Sequence, residues 1–119
     1  VLVPFAVALG AAAGAAVRHL CGLVATRLGR PGWVALLVAN VGGSVIIGLG
    51  TATLADEVLR AGVLTGFCGA LTTFSSFSLD NVLLAHGGQA RASGFNAVAS
   101  VVLGVLGCGA GLAIGAALS

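Results

Sequence analysis

Residues 72 to 78 read TTFSSFS, two threonines, three serines and two phenylalanines in seven consecutive positions of a chain built mostly from Ala, Val, Leu and Gly. The run is too polar for a passive lipid-facing helix and too apolar for a loop in water. Two further sets of small polar residues recur every four positions: Asn40, Ser44 and Gly48, and then Asn96, Ser100, Gly104 and Cys108. That spacing puts each set on one helix face. Taken together, the inventory is an amide, several hydroxyls and two phenyl rings, with a single carboxylate, Asp80, at its edge. Amide and hydroxyl groups donate hydrogen bonds, and a ring edge is the positive part of its quadrupole. Such groups can replace the hydration of an ion and still release it, which conduction requires. A small anion suits this set better than a cation or a bulky organic solute.

These residues belong to a membrane chain. Hydrophobic residues make up 59% of the 119 positions, charged residues 7%, and the mean hydropathy is +1.18. A soluble domain carries roughly 25% charged residues. Five arginines and three acids cannot clothe one. The net charge of +2 and the absence of lysine or any basic cluster exclude a nucleic-acid partner. Cys21, Cys68 and Cys108 are far apart, show no C-x-x-C spacing, and read as buried small residues. The opening residues carry no basic n-region or cleavage-site pattern, so no signal peptide is expected.

A spanning helix needs about 20 mostly apolar residues. Polar punctuation predicts four, over approximately 3–25, 33–55, 60–85 and 94–118, as one transmembrane domain covering 1–119. Trp33 opens the second span, where an interfacial indole belongs. Gly10 and Gly14, Gly62 and Gly66, and Gly107, Gly111 and Gly115 follow small-x-x-x-small spacing, which predicts close helix seams. Four spans leave Arg60 on one side and Arg27, Arg30 and Arg91 on the other. Three against one is a weak positive-inside signal. It fits a fixed topology, and it also fits a chain that inserts both ways round.

Within the spans, polar residues mark protein- or water-facing positions. Arg18 fits either a snorkelling side chain or a charge that faces protein or water inside the bundle, where a structural role is expected of it. Asn40 fits either interhelical glue or a pathway amide, and Phe74 with Phe77 either a core pair or a lined route. Gly66, Gly69, Thr72, Thr73 and the serines weaken a regular helix, so the third span is expected to break near 69–73. Irregular backbone at membrane depth survives only when buried in protein or lining a cavity.

GFCGALTTFSSFSLD, residues 66 to 80, resembles the third-helix signature of the fluoride-specific channels called Fluc or CrcB, which reads G-x-x-G-x-x-T-T-F-S-T-F-S before an acid. Ser76 replaces the usual threonine and Asp80 the usual glutamate. GAAAGAAVRH (10–19) resembles the first-helix pattern with its arginine, Arg18, and NVGGSVIIG (40–48) the second-helix pattern N-x-x-G-S-x-x-x-G. The resemblance covers essentially the whole chain. It implies an all-α, antiparallel, dual-topology homodimer, or a heterodimer with a close paralogue, in the cytoplasmic membrane of a prokaryote. It implies passive export of toxic fluoride through two pores, and no enzymatic activity. Carried over by position, Phe74 and Phe77 are the pore aromatics, Asn40 the pore amide, and Thr73, Ser76 and Ser100 the polar track. Backbone carbonyls of Gly69 and Thr72 would hold a structural sodium ion on the two-fold axis. Asn96 stands where some relatives carry Tyr, and Gly104 where some carry Ser. The alternative is a small multidrug-resistance-type four-helix transporter. Its proton coupling needs a mid-membrane carboxylate, and the first span contains no acid.

Overall fold

The computed structural model describes residues 2–118. These form four long apolar helical spans, since a helix satisfies its own backbone groups where no water can. Helix α1 covers Leu2–Arg27 and α2 Gly32–Thr53. The third span, Glu57–His86, consists of a first part, α3 (residues 57–71), and a second, α4 (Phe74–His86). Helix α5 covers Ala90–Leu118. The molecule is 47 Å in its longest dimension, close to the 40–45 Å of a bilayer with its headgroups.

The helices start and stop for local reasons. After α1, Gly29 takes φ +70°, with Gly29 N–H donating to the Thr26 carbonyl and Arg30 N–H to that of Ala25. After α4, Gly88 (φ +80°) donates to the Ala85 carbonyl and Gln89 to that of Leu84. Both are Schellman endings, which need a left-handed residue that glycine adopts without strain. The third span begins earlier than its hydropathy suggests, because the Asp56 carboxylate accepts from Leu59 N–H at 2.9 Å and caps the helix at Glu57. Arg60 then reaches back, donating to the carbonyls of Thr51 (3.2 Å) and Leu54 (2.9 Å), where α2 ends. A cation there complements the negative end of the α2 dipole.

Two glycine seams hold the spans in pairs. Helix α1 packs on α3, and α2 packs on α5. A Cβ at Gly10 would strike the Gly62 carbonyl, and one at Gly66 the carbonyl of Val7. Across the other seam, a Cβ at Gly48 would strike the Cys108 carbonyl and one at Gly111 that of Val45. Without side chains at these points the backbones touch, and dispersion replaces the hydrophobic drive that lipid does not supply. Residues 61–68 of α3 are wound in the wider π form, which keeps Gly62 and Gly66 against α1. The rings of Trp33 and Phe95 pack in a T shape with centroids 6.2 Å apart, tying the start of α2 to that of α5.

Candidate functional site

Between α3 and α4, Thr72 (φ −91°, ψ 150°) and Thr73 (φ −153°, ψ 126°) take extended backbone. Continuing the helix would have Thr73 N–H donate to the Gly69 carbonyl. It donates instead to Asn40 Oδ1 at 3.0 Å, while Asn40 Nδ2 donates to the Thr73 carbonyl at 3.4 Å. One side-chain amide of α2 thus satisfies both backbone groups of Thr73, as a neighbouring strand would. The threonine side chains complete the joint. Thr72 Oγ1 donates to the Cys68 carbonyl at 2.8 Å, and Thr73 Oγ1 accepts from Ser76 N–H at 3.4 Å as the N-cap of α4.

Beside this joint lies an open cleft of about 350 Å³, lined by Asn40, Ser44, Ile47, Thr72, Thr73, Phe74, Phe77, Ser100 and Val101. No charged side chain lines it. Phe74 and Phe77 stand with ring centroids 5.8 Å apart and planes at 40°, and Phe74 is 78% exposed on the face of this chain. Ser44 Oγ donates to the Asn40 carbonyl one turn back, at 2.9 Å.

The cleft therefore brings together Asn40, Thr73, Phe74, Phe77 and Ser100 of the residues expected from sequence, together with Thr72. Ser76 is not among its lining; its backbone N–H serves the cap on Thr73. Gly69 is exposed, and a Cβ there would meet no atom within 4 Å. Arg18 is elsewhere, with His19, Gly22 and Thr26 around a separate cavity of about 480 Å³. Sequence reasoning passed over Asn81. Asn96, only 2% exposed, donates from Nδ2 to Asn81 Oδ1 at 2.9 Å, and Ser100 Oγ donates to Asn96 Oδ1 at 3.3 Å. The available signal was that Asn81 follows Phe74 and Phe77 at i+7 and i+4, on the same helix face.

Fold and site together define a small multi-pass membrane protein whose spans meet at a neutral, aromatic-flanked cleft. Residues 5–112 match the family model described as CrcB-like protein, Camphor Resistance (CrcB). A relative from Natronomonas pharaonis, named fluoride-specific ion channel FluC 2, is 39% identical over 117 residues, covering 98% of this chain and 97% of its own. Relatives named fluoride-specific ion channel FluC come from Sphingopyxis alaskensis (42% over 116 residues, 91% and 90% covered) and Vibrio vulnificus (44% over 105 residues, 83% of each). The chain belongs to the CrcB family. It is a multi-pass protein of a prokaryotic plasma membrane.

Proposed function

We propose that this chain is a subunit of a passive, fluoride-selective channel, not an enzyme, through which toxic fluoride leaves the cell. The observation that carries the reading is the cleft: neutral hydrogen-bond donors and two phenyl rings, with no fixed charge, at a joint between two helices. The names of the relatives agree with it. Fluoride is small and strongly hydrated, so its path must replace water with donors. Asn40 retains a second amide hydrogen beyond the one given to Thr73. Thr73 and Ser100 supply hydroxyls in the cleft, Ser76 extends the polar track beyond its lining, and Phe74 and Phe77 supply ring edges. None of these holds an anion as firmly as an arginine would, so the ion moves on.

Two copies assemble antiparallel, as a homodimer or with a close paralogue, and each face completes a pore. A structural sodium ion sits where the two third spans cross, held by the carbonyls of Gly69 and Thr72. The donor chemistry fits. Thr73 N–H is committed to Asn40 and withdrawn from the Gly69 carbonyl, Gly69 stands in open space, and the extended Thr72 turns its own carbonyl out of the helix direction. Carbonyl oxygens are hard ligands and suit such a cation. Arg18, away from the cleft, acts as a structural charge. The deciding experiment is efflux from liposomes holding the purified protein. Fluoride should leave and chloride should stay; equal passage of both, or proton-driven efflux of organic cations, refutes the proposal.

A further inference from the structure

Ser100 reaches the cleft, but its hydroxyl hydrogen is turned away from it, toward Asn96 Oδ1. In that state Ser100 offers the cleft only lone pairs, which an anion avoids. Behind it, Asn96 is buried and does not line the cleft, and its Nδ2 donates to Asn81 Oδ1. A carboxamide keeps its shape when oxygen and nitrogen exchange places by a half-turn. If both amides turn, every contact is kept at its present length with donor and acceptor reversed. Asn81 Nδ2 then donates to Asn96 Oδ1, and Asn96 Nδ2 donates to Ser100 Oγ. Ser100 becomes an acceptor on its inner side, and its hydrogen is released into the cleft. Asn81 is only partly buried, so its side-chain amide has room to turn. The Ser93 hydroxyl donates at 2.9 Å to the Asn81 backbone carbonyl, which neither turn disturbs.

We infer that Asn81 and Asn96 form a reversible hydrogen-bond relay that sets the polarity of Ser100, presenting lone pairs in one orientation and a donor in the other, and that an entering anion selects the second. The inference rests on the fluoride-channel reading and adds two positioning residues to it. Both polarities contain the same number of hydrogen bonds, so the free-energy gap between them is small. An anion that binds one polarity and is repelled by the other therefore shifts the balance. Aligned donors also strengthen one another along the chain. The relay favours a small, strongly accepting anion, because only such an ion gains enough from one hydroxyl to turn two amides, one of them buried.

The chain has three asparagines, Asn40, Asn81 and Asn96, so labelling asparagine side chains with nitrogen-15 gives three amide signals. Protein in nanodiscs is titrated with sodium fluoride and, separately, with sodium chloride. The signals of Asn81 and Asn96 should move together with one midpoint in fluoride and stay fixed in chloride. In Ser100→Ala they should stop responding while that of Asn40 still moves. While ionised, Asn81→Asp can accept from Asn96 but not donate, which locks the polarity that shows the cleft only lone pairs. Its fluoride efflux should fall about tenfold or more below that of Asn81→Leu, the bias one charge-assisted hydrogen bond provides. If Asn40 responds and fluoride flows while Asn81 and Asn96 stay still, or if they still respond in Ser100→Ala, the relay is refuted and the channel stands. Equal efflux in Asn81→Asp and Asn81→Leu also refutes it. If no signal moves and liposomes retain fluoride, the channel reading fails, and the relay with it.

Discussion

Replacing Asn40 by alanine should loosen the fold and the conduction path together, because one side chain serves both. The substitution removes the acceptor at 3.0 Å from Thr73 N–H and the donor at 3.4 Å from the Thr73 carbonyl. A part-buried backbone group left without its partner costs about 1–3 kcal/mol. The N–H bond has good geometry and counts in full; the longer bond counts at about 0.5 kcal/mol, the low end of a net hydrogen bond. The expected loss is about 1.5–3.5 kcal/mol, roughly a tenfold to few-hundredfold shift in the folding equilibrium. Reversible unfolding in mixed micelles reads the stability, and a fluoride electrode outside proteoliposomes reads the flux. Asn40→Asp separates the two roles. Its carboxylate can still accept from Thr73 N–H, so stability should recover in part, yet a negative charge now faces the anion and flux should stay low. An Asn40→Ala protein within about 0.5 kcal/mol of the parent would refute the clamp, since surface changes away from specific features fall in that range. Unimpaired flux in Asn40→Asp would reduce Asn40 to a packing role.

Phe74→Ile and Phe77→Ile keep bulk but remove the ring edges; fluoride efflux should drop in each and most in the pair, and unchanged flux in all three folded variants would remove the aromatic role. Gly66→Ala drives a methyl into the Val7 carbonyl and should cost about 1–3 kcal/mol, whereas Gly22→Ala, with nothing within 4 Å, should be stable by the same unfolding assay. Arg60→Gln takes the guanidinium from the Thr51 and Leu54 carbonyls and should destabilise by about 1–2 kcal/mol, visible as earlier hydrogen exchange at the end of α2. Replacing sodium with N-methylglucamine should weaken the dimer in size-exclusion runs, and a dimer indifferent to sodium would reject the proposed ion.

The four spans were legible because a bilayer imposes one rule, length of apolar run, on every helix that crosses it. Their ends were less so. The third span was expected from residue 60, but Asp56 caps it at Glu57, drawing one further charged residue, Glu57, into a helix that hydropathy alone would trim. The glycine spacing announced close seams without saying which helices meet, since every small-residue ridge fits every other. The cleft was readable in its ingredients, as Asn40, Phe74, Phe77 and Ser100 each stood out on a helical face. The wiring was not. Asn40 and Thr73 are 33 residues apart, and Asn81 and Asn96 are 15 apart across a turn. Such pairs depend on how helices rotate against each other, which no local period encodes. Ser76, chosen for its hydroxyl, is used in the joint through its backbone N–H, a group every residue but proline possesses.

The clamp on Thr73 also bears on how the protein is made. Helix α2 leaves the ribosome before the third span does, so the Asn40 amide is already in place when Thr73 arrives. The third span is the least apolar of the four, and in lipid by itself the extended Thr73 would carry an unpaired N–H and carbonyl. Beside α2 that penalty disappears as the segment enters. Insertion of the third span is thereby coupled to the one before it, and the nascent chain acts as its own chaperone. Of the residues around the cleft Ser100 comes last, with α5, so the wall of the cleft closes only after the fourth span has followed the other three.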